Sequence, residues 1–134
     1  SEFLTPYRDA RFRPGQTDCA QFVREWLRAA TGKDFAPDFQ YETLADGQAA
    51  LNEAGYLDHI DFVAAHLDEV HPAFAQPGDI AVLDAGNEEA LGILSGETVF
   101  ALGPSGLAAF PRTVAKRTFS CPRWTLGSPA SPPP

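Results

Sequence analysis

The sequence predicts an α+β domain, with helices first and an antiparallel β-sheet after them. Two patterns carry that expectation. Up to about residue 67 apolar residues recur at helical spacing, and from Pro77 onward they fall into short runs separated by Gly, Pro and Asn turns. Size agrees: 134 residues make one domain, long enough to hide roughly two-thirds of the unfolded surface. With 44% hydrophobic and 21% charged residues, bulk disorder is excluded.

The opening stretch, residues 3–16, is polar and ends in the turn signal Pro14-Gly15. The clearest helix follows. Cys19, Phe22, Val23, Trp26, Leu27 and Ala30 make one apolar stripe, with Gln21, Arg24, Glu25 and Arg28 on the outer face. Asp18 and Gln21 have the spacing of a capping box, and Gly32 is placed to end the helix. An aromatic-rich linker spans residues 35–41. A second helix is expected over about 44–54, stopping at Gly55, and a third over about 58–67, with Ile60, Val63, Ala64 and Leu67 inward and His71-Pro72 as its breaker.

Five strands are expected after the Pro77-Gly78 turn, over residues 79–83, 90–94, 98–102, 107–110 and 118–124. Gly86-Asn87, Ser95-Gly96 and Gly103-Pro104-Ser105-Gly106 turn the chain between them, the pattern of an antiparallel meander. The domain is expected to cover residues 1–126, and residues 127–134 form a Pro/Ser-rich tail.

The net charge is −8, which argues against non-specific binding to nucleic acid or anionic membranes. The charge is unevenly placed. All ten Lys and Arg lie before Asp34 or after Pro111, and fourteen Asp and Glu fill the middle. Two readings stay open: ends and middle attract each other within the fold, or the middle forms an acidic face for a basic partner. No apolar run is long enough for a membrane helix. Two cysteines make neither a disulfide framework nor a four-cysteine zinc site, and the sequence has no Gly-rich phosphate loop or His/Cys metal spacing. No cofactor or metal is therefore expected.

Cys19 is the residue whose position suggests chemistry. It follows a helix cap, where free amides and the helix dipole favour the thiolate, and Arg11, Arg13 and Arg24 are near in sequence. It also lies on the apolar stripe, as a packed core cysteine would. Cys121, in the last strand, reads as core. Glu88-Glu89 read as a solvated turn.

Three motifs carry a family resemblance. Thr17-Asp18-Cys19-Ala20-Gln21-Phe22-Val23 resembles the Asp-Cys-Ser-Gly-Phe-Val signature of the NlpC/P60 superfamily. Pro77-Gly78-Asp79-Ile80 is similar to that family's Pro-Gly-Asp-Leu, which leads into its first sheet strand, and Leu91-Gly92-Ile93-Leu94-Ser95-Gly96 to its Val-Gly-Ile-Tyr-Leu-Gly strand. The motifs stand in the family's order over residues 11–124. The whole chain is most similar to a small phage- and prophage-encoded branch in which Asp-Cys, a helix and Ala-Thr-Gly-x-Asp recur, here Ala30-Thr31-Gly32-Lys33-Asp34.

The resemblance implies a papain-like fold, a Cys nucleophile on the first core helix, a His base on the adjacent sheet, and hydrolysis of peptide or amide bonds in bacterial cell-wall peptides. Cys19 matches the nucleophile. The family's His position is Ala90, its upstream Tyr position is Phe12, and Thr98 is the only polar candidate for the third member. The base is then unassigned; His59, His66 and His71 are its candidates, and each also reads as a surface or turn residue. The expected function is a phage- or prophage-associated cysteine hydrolase. The alternative is a degenerate domain with a structural or binding role, for example in phage tail assembly. A third reading is acyl transfer or deamidation by the same Cys. The expected partners are a bacterial cell-wall peptide or phage tail proteins. No signal-peptide pattern opens the sequence, so the expected location is the cytoplasm of the producing bacterium or the phage virion.

Overall fold

A computed structural model describes residues 3–8, 18–37, 39–85, 88–103 and 106–122. Arg11, Phe12, Arg13, the turns at Pro14-Gly15 and Gly86-Asn87, the tip at Pro104-Ser105, Trp124 and the tail at 127–134 lie outside the described residues. Among the described residues, three α-helices precede and flank a six-stranded antiparallel sheet. The fold class is α+β, as the periodicity predicts.

Helix α1 (Cys19–Thr31) starts and ends where its sequence says. Asp18 Oδ1 accepts the Gln21 amide at 2.8 Å, and Gly32, at φ +77°, donates its amide to the Arg28 carbonyl at 2.8 Å. Phe22, Val23, Leu27 and Ala30 are buried. Trp26, expected at the middle of the buried stripe, is only half-buried: its ring packs edge-on against Phe3, and its indole N–H donates to the Gly78 carbonyl at 2.7 Å. Helix α2 (Leu44–Glu53) is capped by Thr43 and buries only Gly47. Helix α3 (His59–His66) is capped by Asp58 and buries Ile60 and Val63.

The third helix keeps its expected span and ends ahead of His71-Pro72. Leu67 leaves helical geometry, and Glu69–Val70 form a short strand, β1, which pairs with the last strand. Two residues are too few to show a period of two, so the sequence pattern misses them. Strands β2 (Ile80–Ala85), β3 (Glu88–Ser95), β4 (Thr98–Gly103) and β5 (Gly106–Pro111) form the expected meander. Strand β6 (Arg117–Phe119) departs from it: it pairs with β2, giving the order β1-β6-β2-β3-β4-β5. It is also shorter than expected: it ends at Phe119, and beyond it the Cys121 amide donates to the buried carboxylate of Asp79, at 3.1 Å. Arg112 directs the connection to that far edge, donating to the carbonyls of Gly96, Pro72 and Ala75.

The sheet is buried on both faces, which is why its strands read as unbroken apolar runs. Ile80, Val82, Leu91, Ile93, Leu102 and Phe119 pack with α1 and α3. Ala81, Leu83, Leu94, Val99 and Ala101 pack with Ala75 on the other side. Gly92 is required by close approach. A Cβ there would stand 2.7 Å from Val99 Cγ1 and 2.8 Å from the Phe100 carbonyl oxygen, and the β3–β4 pairing ends beside it, at Ile93 and Phe100. Cys121 is buried in the α1 cluster, as expected of a core residue.

Candidate active site

Cys19 is the first residue of α1 and His59 the first residue of α3. Each follows an aspartate that caps its helix: Asp18 accepts the Gln21 amide, and Asp58 Oδ1 accepts the Asp61 amide at 2.8 Å. An N-cap fixes the backbone just before its helix, so the side chain at the first helical position leaves in a defined direction. The two helix starts meet. Cys19 Sγ lies 4.0 Å from His59 Nε2, and both residues are half-buried.

Packing holds α3 in that position. Ile60 and Val63 enter the core, and Phe62 is held by Phe39 (5.3 Å, edge-on), Tyr56 (5.0 Å, edge-on) and the stacked ring of His66 (4.2 Å). Phe39 comes from the aromatic linker, which therefore seats the helix that carries His59.

A third group closes the site. Tyr41 donates its hydroxyl to Asp18 Oδ2 at 2.6 Å. Its ring lies flat on α2 where that helix carries Gly47. A Cβ at Gly47 would stand 3.0–3.1 Å from three ring carbons. Asp18 is 2% exposed, so the tyrosine hydroxyl and the helix amide satisfy a carboxylate held away from water. Sequence reasoning passed over Tyr41, whose only signal was a lone hydroxyl in an apolar linker.

The electrostatics correct one expectation. Burial pushes the Cys19 thiol up, and the Asp18 carboxylate adds to this. The amides of Leu91, Cys19 and Ala20, which favour the thiolate, do not outweigh them. Burial holds His59 below the ordinary imidazole value, against the opposing pull of Asp58, Asp18, Glu88 and Glu89. The resting pair is a thiol beside a neutral imidazole, not a preformed thiolate. Burial and the bond to Asp18 raise the Tyr41 phenol, so it stays a hydrogen-bond donor.

The other sequence candidates stand elsewhere. His66, at the opposite end of α3 and about 10 Å along the axis from His59, bonds its Nδ1 to the Phe62 carbonyl at 2.8 Å. His71 accepts the Ala73 amide at 3.0 Å and caps the turn Pro72–Phe74. Thr98 pairs with Ser95 at the hairpin end of β4. That is four residues up β3 from Leu91, about 13 Å at strand rise. Ala90 packs with the second cluster, away from Phe22 and Val23, so its side chain is not beside the sulfur. Glu88 and Glu89 form the start of β3 rather than a turn, near enough to act on His59, and Glu89 pairs with Lys116 at 2.8 Å. A cavity of about 330 Å³ lined by Phe3, Pro6, Tyr7, Glu25, Arg28 and Ala29 lies along the outer side of α1, apart from this pair.

Residues 1–121 match the family model described as "Domain of unknown function (DUF6950)". The chain belongs to the DUF6950 family. No curated protein matches it. The matched span includes every residue of the site: Asp18, Cys19, Tyr41 and His59 all lie in the DUF6950 region. Among the described residues of this DUF6950 chain, no group of three or more His, Cys, Asp and Glu is placed to hold a metal ion, and no helix is long and apolar enough to cross a membrane.

Proposed function

We propose that the domain is a cysteine hydrolase of papain-like, NlpC/P60-like design, encoded by a phage or prophage and acting on peptide or amide bonds of bacterial cell-wall peptides. The observation that carries this reading is the 4.0 Å approach of His59 Nε2 to Cys19 Sγ. A nucleophile and a base this close, both at helix starts, form the minimal unit of covalent acyl transfer, and such pairs are often looser before substrate binds. In this reading the base comes from α3, because Ala90 carries none.

The chemistry follows from the resting state. His59, neutral, takes the thiol proton as sulfur attacks the carbonyl carbon. The amides of Cys19, Ala20 and Leu91 stand near the sulfur and offer hydrogen bonds to the oxyanion. The imidazolium then protonates the leaving amine, the C–N bond breaks, and a thioester remains on Cys19. Water, deprotonated by His59, attacks that thioester. The acid leaves and the proton returns to sulfur.

The test is incubation with purified cell-wall stem peptides, with products read by mass spectrometry. The wild type should release an amine and a carboxylic acid. Cys19→Ser and His59→Asn should each lower the rate by about 10²–10⁴, and His66→Asn and His71→Asn should leave it unchanged. The raised thiol favours a second reading, a domain that kept the fold for binding or phage tail assembly. An inert wild type that retains affinity for a tail protein or a cell-wall peptide would select it.

A further inference from the structure

Asp18 has an awkward position for a site that must generate a thiolate. It precedes the nucleophile, is 2% exposed, and its negative charge opposes that of the sulfur. Its two oxygens are nevertheless used differently. Oδ1 caps α1 through the Gln21 amide at 2.8 Å, and Oδ2 receives the Tyr41 hydroxyl at 2.6 Å. A short hydrogen bond of this kind to an ionised acceptor stabilises the carboxylate charge at its donor, and so competes with the repulsion that the charge exerts on a Cys19 thiolate.

We infer that Tyr41 and Asp18 form a positioning pair that sets how readily Cys19 releases its proton: the hydroxyl locks the carboxylate on the helix cap and stabilises its charge there. Three independent features build the pair. The aspartate is buried and its cap geometry is set by α1. The tyrosine comes from the segment between Asp34 and α2. Gly47 leaves the ring a flat seat that no larger residue provides. Among the described residues, the titratable groups acting on the sulfur are Asp18 from its own cap, His59 from α3 and Tyr41 from the linker. Asp58, Glu88 and Glu89 act on it through His59. From β3 the sulfur meets only the Leu91 amide among the interactions of the described residues.

The pair matters for turnover only if Cys19 is the nucleophile, so this inference rests on the proposed hydrolase. Its test does not need hydrolysis. Cys19 of the folded protein is alkylated with iodoacetamide from pH 6 to 11, and labelling is followed by mass spectrometry to separate Cys19 from the buried Cys121. Tyr41→Phe should move the midpoint up by about half to one pH unit, so that labelling at pH 8 falls about three- to tenfold. Asp18→Asn keeps a good N-cap residue but removes the charge, and should move the midpoint down. The double variant should follow Asp18→Asn, because Tyr41 acts through the carboxylate. Gly47→Ala, remote from the sulfur, should act in the direction of Tyr41→Phe by pushing the ring off its seat. If Asp18→Asn melts early, Asp18→Ser, also a good cap but uncharged, gives the same reading. A Tyr41→Phe midpoint equal to wild type, or an Asp18→Asn midpoint that rises, would overturn the inference. If alkylation behaves as stated but no cell-wall peptide is cleaved, the pair stands and the hydrolase reading fails.

Discussion

At the scale of single residues, the site is made by two aspartate caps. Asp18 and Asp58 each begin a helix, and each is followed by a side chain able to do proton chemistry, Cys19 and His59. Neither residue's neighbourhood in sequence reveals its partner, since 40 positions separate them. Burial keeps His59 neutral, and this has a sign for pH. Its folded pKa is depressed below the ordinary 6.5, so the stability it carries is present above 6.5 and is lost as pH falls through the folded value. Melting temperature should therefore decline from pH 7.5 to 5, and His59→Asn should flatten that slope. If the protein is a hydrolase, the acid limb of kcat/KM should likewise lie below 6.5. An acid limb at or above 6.5 would show that His59 is not the base.

At the scale of elements, α1 is tied to the sheet at the Pro77-Gly78 turn. Gly78, at φ +94°, offers its carbonyl to Trp26, and its amide donates to Leu94 at 2.7 Å. Asp79 then gathers the amides of Gln76 (2.9 Å) and Cys121 (3.1 Å) with a carboxylate that is 2% exposed. The Pro-Gly-Asp motif is in this chain a structural joint. Trp26→Phe keeps most of the packing and loses one hydrogen bond, and should cost about 0.5–1.5 kcal/mol in urea unfolding. Trp26→Ala should cost about 2–4 kcal/mol, less than for a fully buried tryptophan, because the side chain is only partly buried. Gly92→Ala should cost about 1–3 kcal/mol through crowding of Val99 and the Phe100 carbonyl. A neutral Gly92→Ala would mean that β4 can step back from β3.

At the scale of the whole molecule, the segregated charges attract each other. Apart from Arg28–Glu25 within α1, the ion pairs of the described residues join a basic residue from an end to an acid from the middle: Arg24 and Arg28 with Asp34, Lys116 with Asp84 and Glu89, and Arg117 with Glu69. The strongest is Arg24–Asp34, in which Nε and Nη2 each donate at 2.9 Å to one carboxylate oxygen. Arg24 also donates to the Phe39 carbonyl at 2.9 Å, fastening α1 to the linker that seats α3. The Arg24 hydrogen bonds hold Asp34 down at about 2, from an ordinary 3.8. Its stabilisation is thus complete above 3.8 and lost as pH falls toward 2. Asp34→Asn should cost about 1–2 kcal/mol at pH 7, with the difference from wild type closing between pH 4 and 2 in chemical denaturation. A gap independent of pH would assign the loss to packing.

Local signals determined much of this fold. The stripe from Phe22 to Ala30, the Asp18 cap, the Gly32 stop and the four strands of the meander are written in short windows, because helix periodicity, caps and tight turns depend on neighbours a few positions away. What local windows do not encode is contact across the chain. The β1–β6 pairing, the place of β6 on the far side of β2 and the partial burial of Trp26 each join residues far apart in sequence, beyond any local window. The site divides the same way. Cys19 was legible from its cap and its motif. His59 was one of three histidines with equal local standing, and Tyr41 was one aromatic residue among several. The burial of Ile60 and Val63 and the packing of Phe62 against Phe39, Tyr56 and His66 bring His59 to the sulfur, and the missing side chain of Gly47 leaves room for the Tyr41 ring whose hydroxyl reaches Asp18. The thiol's ionisation was also settled in three dimensions. A helix start taken by itself favours the thiolate, but burial and a neighbouring carboxylate, which depend on the whole fold, push the other way.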